Sequence, residues 1–429
     1  MTLPEDLRTA FADGDADRVI EAARAAAGGN EPTQASADLA LFEPRLSDRQ
    51  GHFAILADQY LDLARSHGLR GVVYHHQHWT GESPAGWRRL FPVPDHLVGT
   101  DLTASQRVMD SYSSYFHEAL SMGLRETGAV AAVFPTARFL TLPAIARAVS
   151  ECATVRGAVI GIMETWPVPD CDDQTLVKRA FREAARRLRA CGKPVWVFAE
   201  SEAIGQELLA QGFSDESVRV APYPAAARLA GKNKERTPRA DPHFAALGAS
   251  RPVHNPGLLA KYLLSGDRAA GAWTVRLNPG LAARHLDQSP ATLVDDLRRS
   301  GVTVLPRHLD LTAYDEALQA ADVMLLPYGE RYQTLGSGIF LECVCAGVIP
   351  LVPVASTMRA LYESLGGKAP AIETLTTAGL AECVNSCSQQ WLELRENALS
   401  VRDAWLAHPQ GPRQWRQRVS DLFAHVSSD

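Results

Sequence analysis

The sequence predicts an α/β protein built from two doubly wound, Rossmann-like domains. Three observations lead there. Short apolar runs rich in Val, Ile and Ala alternate with amphipathic stretches along most of the chain, the pattern of parallel strands joined by crossover helices. One polar segment, 232–242 (KNKERTPRADP), interrupts the alternation and has the composition of an interdomain linker. The 429 residues exceed what one hydrophobic core holds. The expected division is a helical extension at 1–36, a first domain at 37–230, a second at 231–404 and a C-terminal helix at 405–429.

Each element has its own signal. Residues 7–27 read as short helices broken at Asp13-Gly14-Asp15, and 28–32 as a loop. An apolar strand follows at 38–44, then a loop with Gly51-His52, a helix over 53–67 closed by Gly68, and a strand at 71–74. Residues 79–100, rich in Pro, Gly and Trp, read as a long connection. Helix 107–124, strand 129–135, helix 142–152 and strand 157–163 come next. The amphipathic helix 174–190, strand 194–199, helix 202–211 and strand 218–222 complete the first domain. Beyond the linker, strands at 243–248, 273–277 and 302–305 alternate with helices at 256–264, 290–300 and 314–320. Residues 390–423 are helical and carry Trp391, Trp405 and Trp415.

Composition excludes several classes. Hydrophobic residues make up 46% and charged residues 21%, as in a globular protein, and the net charge of −6 argues against a nucleic-acid partner. The densest basic run, 179–189, reads as a solvated helix face. Seven cysteines lack any C-x-x-C pair, and the N-terminal residues carry no apolar signal region, so reduced thiols in a cytoplasmic protein are expected. The most apolar stretch, 129–149, is broken by Pro135, Arg138, Pro143 and Arg147 and is no membrane span; peripheral membrane contact is compatible with the sequence. No G-x-G-x-x-G follows the first strand, which argues against a nicotinamide enzyme. Asp170-Cys171-Asp172 lies in a Pro-rich loop and is discounted as a metal motif. His75, His76 and His78 close the second strand, with His76 and His78 on one side, but no third metal ligand is evident.

The most informative segment is 325–353, LLPYGERYQTLGSGIFLECVCAGVIPLVP. It reads as strand, polar aromatic loop, helix and strand, with Ser337-Gly338 at the helix start and Gly347 at its end. Small residues there leave backbone N–H groups and the positive end of the helix dipole open to a phosphate. Glu342, one turn in, is placed to accept hydrogen bonds from a ribose while the backbone at Ser337, Gly338 and Ile339 holds a diphosphate.

This segment resembles the nucleotide-sugar site of B-fold glycosyltransferases, close to the retaining family 4 group. The matching positions are Leu326-Pro327, Ser337-Gly338-Ile339, Glu342, Ala346-Gly347 and Ile349-Pro350. Two departures stand out: Thr334 occupies the place of the family's first glutamate, and His254 lies near that of a lysine. The resemblance implies two domains facing a cleft, with the nucleotide-sugar donor on the second and the acceptor on the first. It implies that Arg251, beyond the first strand of the second domain, neutralises the leaving diphosphate with His254, and that Lys261 is a further source of charge. Tyr328, Arg331 and Tyr332 would line the donor pocket, Arg307 and His308 would lie near the base, and Gly51, His52, His76 and His78 would face the acceptor.

The implied activity is sugar transfer from a nucleotide diphosphate donor to a carbohydrate, lipid-linked or other small acceptor, with retention, no metal and no cofactor beyond the donor. A bacterial envelope or polysaccharide pathway is the implied setting. The alternatives are a non-catalytic scaffold on the same fold, kept open by Thr334 and His254, and a sugar-nucleotide epimerase.

Overall fold

The computed structural model describes residues 9–11, 13–27, 36–46, 52–76, 83–91, 105–163, 173–222, 224–229, 239–249, 251–306, 309–333 and 335–428. They form two compact units, 1–221 with 415–429, and 222–414.

The first unit opens with helix α1 (Ala16–Ala27), after a turn at Gly14, as the Asp-Gly-Asp break implies. Strand β1 (Leu39–Glu43), helix α2 (His52–Ser66), strands β2 (Gly71–His76) and β3 (Trp87–Phe91) and helix α3 (Gln106–Thr127) follow. Then come β4 (Ala131–Ala137), α4 (Leu142–Glu151), β5 (Gly157–Ile162), α5 (Gln174–Ala190), β6 (Val195–Ala199), α6 (Glu202–Ala210) and β7 (Val218–Val220). Capping fixes several helix starts: the hydroxyls of Ser105 and Ser201 accept from Val108 and Ile204, satisfying N–H groups the helix itself leaves open.

Seven parallel strands stand in the order β3-β2-β1-β4-β5-β6-β7. Strand alternation sends Ala40 and Phe42 to one apolar cluster with α1, α3, α4 and α5, and Leu39 and Leu41 to another with α2. The chain's final residues, from Trp415, complete that second cluster, with Trp415 edge-on to Tyr60 at 5.1 Å. The edge strand β3 lies inside the stretch that reads as a connection, because only five residues separate its flanking turn from Pro92.

The second unit begins with a 3₁₀ turn at Pro224–Leu229. Strand β8 (His243–Ala249), a 3₁₀ turn at Pro252–His254, α7 (Pro256–Leu264), β9 (Ala272–Leu277), α8 (Pro279–Ala283), α9 (Pro290–Arg299) and β10 (Val302–Val304) follow. Helix α10 (Leu311–Ala320), β11 (Val323–Leu325), a 3₁₀ turn at Glu330–Gln333, α11 (Gly338–Ala346) and β12 (Ile349–Leu351) come next. The unit is completed by α12 (Thr357–Ser364), α13 (Thr377–Gln389) and α14 (Trp391–Ala407); α15 (Pro412–Ser427) leads into the first unit's cluster. The expected continuous C-terminal helix is therefore two, separated at 408–411, where His-Pro-Gln-Gly ends the helical run. Trp391 and Trp405 are buried in this second unit, and Trp391 donates to the Ala240 carbonyl. The five parallel strands run β10-β9-β8-β11-β12. No described helix is long and apolar enough to cross a membrane.

Candidate functional site

The order β10-β9-β8-β11-β12 reverses direction between β8 and β11: from β8 the chain winds outward to one edge, and from β11 to the other. Loops leaving the carboxyl ends of two such strands diverge, and the crevice between them is where open α/β sheets take ligands. Here the two loops are tied at their base. The Gly329 N–H donates to the Val253 carbonyl at 2.9 Å, and Asn255 Nδ2 donates to the Pro327 carbonyl at 2.8 Å. Asn255 adopts a left-handed backbone, φ 50°, a conformation asparagine tolerates better than most residues.

Arg251 begins the turn after β8 and is exposed. His254 is buried, its ring stacked on Tyr328 at 4.4 Å between centroids and its Nε2 hydrogen-bonded to the Tyr332 hydroxyl at 2.8 Å. Tyr328 and Tyr332 are themselves 4.5 Å apart. Burial, reinforced by the Arg251 charge, lowers the His254 pKa to about 4. Burial thus favours the neutral imidazole, hydrogen-bonded to Tyr332, over the charged form. Lys261 is exposed in the last turn of α7, roughly 8 Å along the axis from that helix's first residue.

The three-ring cluster depends on Gly248. A Cβ there would meet the Tyr328 hydroxyl at 2.2 Å and Ile339 Cδ1 at 2.8 Å. Tyr328 fills the space that any other residue at 248 would take.

Two helices start at this crevice. Ser337 caps α11, its hydroxyl accepting from the Phe340 N–H at 3.3 Å, so Gly338 and Ile339 form the first turn. Helix α7 has no side-chain cap: Asn255, left-handed at its start, accepts from none of its N–H groups, and its Nδ2 turns to the Pro327 carbonyl. The N-terminal N–H groups of both helices carry partial positive charge. Arg331 lies half-buried in the 3₁₀ turn beside Tyr332.

Glu342 sits one turn into α11 and is 4% exposed. Its Oε1 accepts from Arg228 Nη1 at 2.7 Å and its Oε2 from the Tyr314 hydroxyl at 2.7 Å. Burial pushes the Glu342 carboxyl up, and Arg228 and Tyr314 partly offset this. Sequence reasoning did not find Arg228, 114 positions upstream. Its only signal is an arginine inside the apolar run Pro224-Ala225-Ala226-Ala227-Arg228-Leu229.

Arg251, His254, Tyr328, Arg331, Tyr332, Ser337, Gly338 and Ile339 are thus gathered on the loops of β8 and β11 and the start of α11. Arg307, His308 and Thr334 lie outside the described residues, as do Gly51, His78 and the 170–172 motif; of His52 only the backbone, the first residue of α2, is described. In the first unit the corresponding reversal falls between β1 and β4. His76 closes β2, on the other side of β1 from that reversal, and is 2% exposed, with its backbone N–H on the Leu46 carbonyl. His75 accepts no solvent either: it is fully buried, and burial lowers its pKa to about 4. Two polar residues not singled out from the sequence, Glu43 and Thr136, end β1 and approach it from β4, hydrogen-bonded to each other and buried. Among the described residues no group of three His, Cys, Asp or Glu side chains is arranged to hold a metal.

No protein-family model matches the chain, and no curated protein matches it. Solved structures do. A sucrose-phosphate synthase from Thermosynechococcus elongatus superposes with a TM-score of 0.59 at 12% identity, over 91% of this chain and 99% of that one. A UDP-forming trehalose-phosphate synthase from Burkholderia xenovorans gives 0.58 at 12%, over 91% and 100%. A UDP-GlcNAc 2-epimerase from Neisseria meningitidis, bound to UDP-GlcNAc, gives 0.53 at 14%, over 90% and 98%. The likeness shows the fold: two doubly wound α/β units of the glycosyltransferase B type.

Proposed function

We propose that the protein is a glycosyltransferase that moves a sugar from a nucleotide diphosphate donor to an acceptor hydroxyl, with retention and without a metal. The observation that carries this reading is the convergence, at the reversal point of the five-stranded sheet, of Arg251 with the first turns of α7 and α11. As the bond between the anomeric carbon and the diphosphate breaks, negative charge grows on the departing oxygens. Fixed N–H dipoles and a guanidinium stabilise it, and one such donor is commonly worth ~3 kcal/mol of barrier. Glu342 is assigned to the ribose, the ring cluster of His254, Tyr328 and Tyr332 to the wall of the donor pocket, and the acceptor to the first unit's strand ends. In the retaining course the new bond forms on the face the diphosphate leaves, and a departing phosphate oxygen takes the acceptor's proton.

The test is thermal melting with UDP, GDP, ADP and their sugars. One nucleotide series should raise Tm, since ligand at 100 times Kd adds ~2.7 kcal/mol. Glu342→Gln should lose most of that rise, and Arg251→Ala, at an exposed position, should keep its unliganded Tm and lose transfer activity by about a hundredfold. If no nucleotide or nucleotide sugar moves the melt, the reading fails.

Thr334 and His254, standing where the resembled family has a glutamate and a lysine, favour a second reading, a nucleotide-binding protein of the same fold that does not turn over. It predicts the same stabilisation with no sugar released or transferred. An epimerase is separated from both by interconversion of the nucleotide sugar without any acceptor.

A further inference from the structure

Glu342 is not positioned by its own helix alone. Arg228, in the 3₁₀ turn Pro224–Leu229, is gripped at one edge by Asp315 of α10. Its Nε and Nη2 donate to Asp315 Oδ1 at 3.1 and 2.8 Å. That grip directs Nη1 at Glu342, 2.7 Å from Oε1. The side chains of Arg228, Asp315 and Glu342 are 10%, 5% and 5% exposed. Tyr314, next to Asp315, takes the other Glu342 oxygen, and the Arg276 guanidinium lies over the Tyr314 ring at 5.8 Å.

Each carboxylate oxygen can accept two hydrogen bonds. Arg228 and Tyr314 occupy one position on each, which leaves one on each for a pair of adjacent hydroxyls. Buried ion pairs are weak devices for stability compared with apolar packing of the same volume, so stability alone is a poor reason for this arrangement. It is better suited to holding one carboxylate in a single orientation.

We propose that Arg228 is a positioning residue for ribose recognition: anchored by Asp315, it fixes Glu342 so that the carboxylate's remaining lone pairs accept from the 2′- and 3′-hydroxyls of a nucleoside diphosphate. This rests on the nucleotide-binding reading above. Arg228 touches no ligand in this account and acts through Glu342.

Calorimetric titration of UDP, GDP and ADP and of their 2′,3′-dideoxy counterparts tests it, in wild type, Arg228→Gln and Arg228→Lys. Wild type should prefer the ribose form of the nucleotide it binds by about tenfold or more, as expected for hydrogen bonds to a charged acceptor. Arg228→Gln should lose most of that preference while keeping its affinity for the dideoxy form, and Arg228→Lys should recover part of it. If Arg228→Gln gives no cooperative melt, Arg228→Lys and Tyr314→Phe carry the comparison, each expected to show a reduced ribose preference. An undiminished preference in the variants overturns the inference and leaves the nucleotide reading standing. Equal loss for ribose and dideoxy forms marks structural support only and also overturns it. A wild type that binds none of these nucleotides overturns both.

Discussion

Replacing Gly248 by alanine tests the packing on which the candidate site rests. The added Cβ would lie 2.2 Å from the Tyr328 hydroxyl, 2.8 Å from Ile339 Cδ1 and 3.3 Å from Tyr328 Cζ. Ordinary contact needs more than 3 Å, so the ring must retreat by about 1 Å. It has little room: Tyr328 is 2% exposed, stacked on His254 at 4.4 Å and against Tyr332 at 4.5 Å. Overpacking of this kind costs about 1–3 kcal/mol. For a unit of this size each kcal/mol lowers Tm by roughly 2–4 °C, so Gly248→Ala should melt about 2–12 °C below wild type. The clash is mostly with the hydroxyl, so Gly248→Ala combined with Tyr328→Phe should recover part of the loss. A double-mutant cycle read by urea denaturation gives that coupling directly. Because Ile339 lies in the first turn of α11, the single variant should also weaken nucleotide binding. A Tm within 1 °C of wild type together with additive effects in the cycle would refute the packing argument.

Asn255 holds a left-handed backbone and bonds the Pro327 carbonyl, so Asn255→Ala should cost about 2 kcal/mol, from backbone strain and the lost hydrogen bond. Asn255→Gly relieves the strain and should cost less; equal denaturation midpoints for the two variants would contradict this. The pH dependence of stability has a defined sign. His254 titrates at about 4 in the folded chain and near 6.5 when unfolded, so the unfolded state binds more protons between those values. Stability is complete above pH 6.5 and declines as pH falls toward 4, by at most about 3 kcal/mol from this residue. His75 is shifted in the same direction and adds to the decline. His254→Phe keeps a ring on Tyr328 and removes one proton site, so its Tm should fall less steeply from pH 6.5 to 4.5; an identical slope would show that His254 is not buried neutral.

The elements that read clearly from the sequence are those with strong local causes. The 3.6-residue period of α5, the Gly347 stop with φ 66°, and the Ser337 cap of α11 are properties of a few adjacent residues. The same holds for the alternation of strands and helices that points to two doubly wound units, and for the motif around Glu342. β3 escaped notice because an edge strand of five residues between Pro- and Gly-rich segments has too short a period to register.

What the sequence by itself determined is the class of fold and the segment that forms the crevice, since both follow from periodicity and from local chain chemistry. Tertiary structure alone decided the charges in that crevice. Nothing in Pro252-Val253-His254 says that the imidazole will lie under Tyr328 and lose its proton, because burial is a property of the neighbours. Nothing near Glu342 announces Arg228, because the ion pair joins positions 114 residues apart. The strand order that brings the β8 and β11 loops together is likewise a choice among long-range pairings. Local sequence fixes dihedral preferences and faces, whereas ionisation and hydrogen-bond partners depend on what the folded chain places around each group.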